Sequence, residues 1–128
     1  MGDYFEANSG IFTHTKKADT LIQWLRGRKY LIALLLDIQV RANKTPKTVI
    51  RGVITRWMSH YLAYLRLLEL KPFLELLADD ERLYLSGTTE AHAKAREMVR
   101  MIREDALFWH HLVRYVPYSF IQLLLHRF

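Results

Sequence analysis

Arg56 and His60 stand four residues apart, the spacing that sets two side chains one above the other on a helix. They fall at the start of a helix predicted from Ile54 onward, and that end of a helix carries unpaired N–H groups and partial positive charge. A guanidinium and an imidazole placed there favour an anion, phosphate included. Trp57, Tyr61, Tyr64 with Leu65, and Leu68 recur at i, i+4, i+7/8 and i+11, so the same helix carries an apolar stripe from which Arg56 and His60 point away. The stripe makes this helix the expected spine of the fold and equally admits Trp57 as a core anchor.

Other chemistries lack their residues. Cysteine is absent, which removes disulfides, thiolate metal sites and cysteine nucleophiles together. His110 and His111 are adjacent, so on a helix they point about 100° apart and do not face one metal. His14, His60, His92 and His126 have no Asp, Glu or His at i+3 or i+4, and there is no H-E-x-x-H, P-loop or G-x-S-x-G pattern. No cofactor, metal or small-molecule ligand is expected.

Charge is the stronger signal. The 128 residues carry a net +6, but residues 16 to 56 alone hold ten Lys/Arg against Asp19 and Asp37, a local +8, while residues 57 to 90 hold three bases against six acids. A basic half beside an acidic segment points to a polyanion-facing surface, with solvated helix faces as the plainer alternative. The expected DNA contacts are Lys44, Lys47, Arg51, Arg56, Trp57 and His60.

These residues need a scaffold, and the periodicity supplies one. Residues 1 to 14 show no sustained period and are read as a short element and a loop. Ala18, Leu21, Ile22 and Leu25, with Thr15 as cap, Trp24 at the edge and Gly27 as stop, predict a first amphipathic helix. Leu31, Leu34, Leu35, Ile38 and Ala42 predict a second, widened by Ile32 and Leu36 into the most buried of the set and ended by Asn43 to Pro46. Residues 48 to 54 are β-branched enough for one short extended segment. The spine helix is expected to reach about Leu70, with a fresh start at Pro72 carrying Phe73, Leu74 and Leu77.

Asp79 to Glu81 and Ser86 to Thr88 mark a turn-rich link. Thr89 is then the expected cap of a helix whose apolar face is Ala91, Ala95, Met98 and Ile102, braced by a Glu90–Lys94 pair. His92, Arg96, Arg100 and Arg103 line another face, either as phosphate contacts or, the favoured reading, as a solvated face on which Glu97 and Glu104 pair with Arg100. A last helix is predicted from Ala106 to Val116, burying Phe108, Leu112 and Tyr115 until Pro117 breaks it, with an apolar tail over residues 118 to 128. The expectation is one all-α domain over residues 1 to 128, a compact irregular bundle of five to seven helices. No aliphatic run approaches the roughly 20 residues of a membrane span and no secretory signal opens the chain, so a soluble nuclear or cytoplasmic protein is expected.

Three segments carry a family resemblance. Thr55-Arg56-Trp57, followed by Ser59-His60-Tyr61 and Leu67-Leu68-Glu69-Leu70, resembles the "TRW" segment of fungal hAT-superfamily transposases. Gly2-Asp3-Tyr4-Phe5-Glu6-Ala7-Asn8 resembles the "GDYFKAN" that follows their Cys-x-x-His motif, and Phe108-Trp109 with Leu112 and Arg114 resembles their "FW..L.R" stretch. The likeness runs in order over about residues 2 to 115. It implies the start of the helical insertion domain of an RNase H-like transposase, in which the tryptophan stacks on a flipped base, a role worth on the order of 1–3 kcal/mol.

The resemblance also implies that two catalytic aspartates fall before Met1 and the last glutamate after Phe128. None of Asp3, Asp37, Asp79, Asp80, Glu81, Glu104 or Asp105 sits on a matching motif. The expected function is therefore that of a catalytically incomplete transposase fragment with weak, non-specific DNA binding. The alternative is a helical interaction module that pairs with itself or with a full-length transposase through the apolar tail.

Overall fold

The computed structural model describes residues 15–50 and 57–115, with the side chains of 57–61 and 115 excepted. Five α-helices and one 3-10 turn account for the described secondary structure, with no strand among the described residues. They are α1 (15–26), α2 (Lys29–Arg41), α3 (Trp57–Asp79), the 3-10 turn Glu81–Tyr84, α4 (Thr89–Glu104) and α5 (Ala106–Tyr115). The expected element over residues 1 to 14, the break at Pro117 and the 118 to 128 tail lie outside the described residues.

The apolar face of α1 is the predicted one: Ala18, Leu21, Ile22 and Leu25 are buried, with Trp24 partly so. Gly27 ends the helix, its N–H donating to the Trp24 carbonyl at 3.3 Å. In α2 the buried set is Leu31, Leu34, Leu35, Ile38 and Gln39. Ile32 and Leu36 are only half-buried and Ala42 is exposed, so α2 is not the most buried helix.

That place belongs to α3, which runs 23 residues and buries Ala63, Tyr64, Leu65, Leu67, Leu70, Leu74 and Leu77. Leu67 rather than Leu68 holds the core position, and α2, α4 and α5 all pack against this one helix. A helix enclosed on several sides needs no single apolar stripe, which is why extrapolating one from Trp57 lands a residue away. The side chains of Trp57 and Tyr61 lie outside the described residues.

Pro72 does not restart the helix; α3 passes through it. Proline removes one N–H and crowds the carbonyl four residues back. Burial of Leu70 on one side and Leu74 and Leu77 on the other holds the register across it.

Asp80 caps the 3-10 turn by accepting from the Arg82 N–H at 3.0 Å. Thr88, not Thr89, caps α4: its hydroxyl accepts from the Ala91 N–H at 3.1 Å. Ala95, Met98 and Ile102 are the buried face of α4, with Ala91 partly buried. Lys94 pairs with Glu97 at 3.8 Å in place of the expected Glu90.

Asp105 joins α4 to α5. Its carboxylate accepts from the Phe108 N–H at 3.0 Å and takes the Lys17 ammonium at 2.7 Å, tying α1 to this corner. Phe108 and Leu112 are buried as predicted, and Trp109 joins them because its indole N–H finds the Ile102 carbonyl at 2.9 Å. The Tyr115 side chain lies outside the described residues.

The expected extended segment is described only to Ile50, and over residues 44–50 it pairs with no strand. It is held instead by Gln39, whose amide brackets Lys47, and by Val49, buried in the core. A side-chain amide thus satisfies the backbone groups that a ladder would otherwise take.

Candidate nucleic-acid interface

A cation is available to a phosphate when no carboxylate already holds it, so the ion pairs decide which bases count. Of the expected contacts, Lys44 is exposed and makes no ion pair among the described residues. Lys47 reaches Glu69 on α3 at 3.1 Å. Arg51 and Arg56 lie outside the described residues, and Trp57 and His60 occupy the first turn of α3 with their side chains outside them.

The rest of the basic segment divides the same way. Lys17 is taken by Asp105, Arg41 by Asp37 at 3.0 Å, and Arg26 donates to the Val49 carbonyl at 3.4 Å. Lys16, Arg28, Lys29 and Lys44 remain exposed without an ion pair among the described residues. Arg28 and Lys29 precede or open α2 while Lys44 follows it, and 13 helical residues set those ends about 20 Å apart. Among the described residues of the +8 stretch, cations without an ion pair thus fall at both ends of α2.

On α4 the face is exposed, as in the favoured expectation, but the pairing of Arg100 with Glu97 or Glu104 is not formed. Arg96 and Arg100 are exposed and make no ion pair among the described residues. Glu97 is engaged by Lys94, and Arg103 by Asp79 at the end of α3. An exposed pair at i+3 or i+4 is worth only about 0.3–0.5 kcal/mol, too little to fix Arg100 on Glu97 or Glu104. Two arginines one turn apart repel each other in isolation and present two guanidinium groups about 6 Å apart along the axis.

The start of α4 brings this face to the α1–α2 turn. Gly87 has φ +106, a conformation that side chains resist, and a Cβ there would meet Ala91, the Arg28 guanidinium and the His92 imidazole. The Arg28 Nη1 lies 3.5 Å, and the His92 Nε2 3.7 Å, from where a Cβ on Gly87 would stand. The His92 ring is fixed by its 2.9 Å contact with the Ser86 carbonyl, to which Nε2 donates in the matching tautomer, and by Tyr84 edge-on at 5.8 Å. Trp24, Arg28, Tyr30 and His92 line a shallow hollow of about 60 Å³ there, without a carboxylate in its wall.

A second concave surface, about 320 Å³, lies where the C-terminal ends of α2 and α3 meet, but its charges are matched. Arg82 binds Asp37 at 2.7 Å and Asp80 at 2.8 Å, and Asp37 also takes Arg41. The Arg82 guanidinium holds the Asp80 carboxyl below the usual carboxylate range, and the two acids raise Arg82 above its ordinary value. The clamp fixes the 3-10 turn against α2 and leaves no net charge for a ligand.

Among the described residues, no three His, Asp or Glu side chains gather where they could share a metal ion, and no helix is long and apolar enough to cross a membrane. Within the resembling segments, Phe108, Trp109 and Leu112 are core residues, as are Leu67 and Leu70, while Arg114 is exposed. The Arg28 to α4 juxtaposition has no counterpart in sequence spacing; the only local sign is Gly87 inside Ser86 to Thr88. No protein-family model, no curated protein and no solved structure matches this chain.

Proposed function

We propose that the chain is a helical segment of an hAT-like DNA transposase, of the kind found in the fungal insertion domain, and that it holds DNA by its phosphate backbone without catalysing strand cleavage or transfer. The observation that carries the DNA-binding part is the set of exposed cations without carboxylate partners among the described residues, Arg28 and Lys29 at the start of α2 and Arg96 and Arg100 on α4, with Arg28 beside the Gly87 turn that leads into α4. Phosphate contacts of this kind position a protein on a duplex without reading its sequence, so the binding is non-specific and weak, with Kd on the order of 10⁻⁴–10⁻⁶ M at physiological salt. The family assignment rests on the three ordered segments, and a nuclear or cytoplasmic location follows from the DNA partner. Fluorescence anisotropy of a labelled duplex, titrated from low to physiological salt, tests the binding; a chain that leaves the duplex free at low salt overturns it. Strand transfer by this chain with a divalent metal overturns the non-catalytic part.

A second reading, a module that pairs with itself or with a transposase partner, is favoured by the apolar residues left outside the core: Leu85 is 75% exposed and Leu107 59%. Sedimentation at rising concentration, with and without residues 118 to 128, separates it from the first; a monomer throughout removes self-pairing.

A further inference from the structure

We infer that the hollow between Trp24, Arg28, Tyr30 and His92 is a stacking site for an unpaired base, so that the chain grips single-stranded DNA in a way it does not grip a duplex. The inference rests on the DNA-binding reading above and adds to it a strand form and a site. Tyr30, the second residue of α2, is 39% exposed, and Trp24, two residues before the end of α1, is partly buried against the core and lines the hollow. An exposed aromatic face is costly in water and sequence-tolerant toward bases, because every base has a π-face.

Charge selects the occupant. The wall holds the Arg28 guanidinium and the His92 imidazole and no acid, and Arg96 and Arg100, without an ion pair among the described residues, continue along α4. An apolar peptide would not need that row, whereas a polyanion with flat rings uses both parts of it. Two other concave places among the described residues differ: one is lined by Asp79 and Asp80 beside Arg41 and Arg82, and the other, about 160 Å³, has Arg26 bonded to the Val49 carbonyl. A hollow of about 60 Å³ does not enclose a base, so the contact is one of ring against ring at the surface, with the backbone laid toward Arg28 and α4. In a duplex both faces of each base are already stacked and the aromatic pair gains nothing.

The test compares a labelled twelve-nucleotide thymidine strand with a duplex of the same length, on the full chain and on the variants Tyr30→Ser and Tyr30→Phe. Tyr30 is exposed in the first turn of α2, outside the buried set of that helix, and circular dichroism checks the fold. Tyr30→Ser is expected to weaken single-strand binding by about tenfold and to leave duplex binding unchanged, while Tyr30→Phe keeps the ring and the affinity. Arg28→Gln is expected to weaken both forms. Duplex binding with a single strand indifferent to Tyr30→Ser overturns the stacking site alone, as does an equal loss for both forms. A chain that binds neither form at low salt overturns this site and the DNA reading together.

Discussion

Gln39 holds Lys47 with both halves of its amide: the Lys47 N–H donates to Oε1 at 2.9 Å and Nε2 donates to the Lys47 carbonyl at 2.8 Å. Gln39 is 1% exposed, and the same Nε2 also reaches the Leu35 carbonyl at 3.2 Å. The turn after α2, with Asn43 at φ 61 and Lys44 N–H on the Gln39 carbonyl, is drawn in around this contact. It directs the Lys47 ammonium onto Glu69, so a lysine that looks free in sequence is a brace between the α2–α3 connection and α3. Gln39→Leu keeps the volume and leaves the Lys47 backbone groups unpaired, which is expected to cost about 1–3 kcal/mol. Urea unfolding measures it; an unchanged midpoint would mean that water replaces the amide without loss.

Pro72 is exposed and sits inside α3, where it gives the Leu68 carbonyl no N–H to accept from. Pro72→Ala restores that bond and removes no core packing. Stability is expected to rise by about 1–3 kcal/mol, since proline is about 3 kcal/mol poorer than alanine within a helix and the site has already relaxed around it. A fall on the urea curve would mean that the ring's stiffening of the unfolded chain outweighs the bond.

Asp80 gives the pH dependence. Its folded-state pKa is depressed, first by the Arg82 side-chain hydrogen bonds, so its contribution is present above the unfolded value, about 3.9, and is lost as pH falls through the lower folded value. Asp80→Asn retains a cap for Arg82 N–H and removes the charge. The variant is expected to be less stable than the parent at pH 7, with the gap closing as pH drops below 4. A gap of constant size from pH 7 to pH 2, followed by chemical unfolding, would contradict the clamp.

The faces of α1, α4 and most of α5 are legible in the sequence because each has one dry side, and period alone then names Ala18, Leu21 and Leu25 or Ala95, Met98 and Ile102. The spine helix is less so, since a helix packed by several neighbours has no single face to find. The candidate interface is least legible. Lys17 and Asp105 are 88 residues apart, Arg82 and Asp37 45, Lys47 and Glu69 22, and none of these pairings follows from a local spacing rule. Density of charge along the chain counts bases before the fold has neutralised some of them. Arg96 and Arg100 lie among glutamates in sequence and yet are among the cations left without an ion pair among the described residues.

In the proposed function, Arg96 and Arg100 on α4 contact the DNA backbone, and Lys47, held by Glu69, does not. The most direct test is the slope of log K against log salt for a labelled duplex, measured on the parent chain, on Arg96→Ala/Arg100→Ala and on Lys47→Ala. The double substitution is expected to lower the slope by about two, one counterion per arginine, and Lys47→Ala to leave it as it was. A slope that falls with Lys47→Ala and is untouched by the double substitution would contradict the account and return the contact to the connection between α2 and α3.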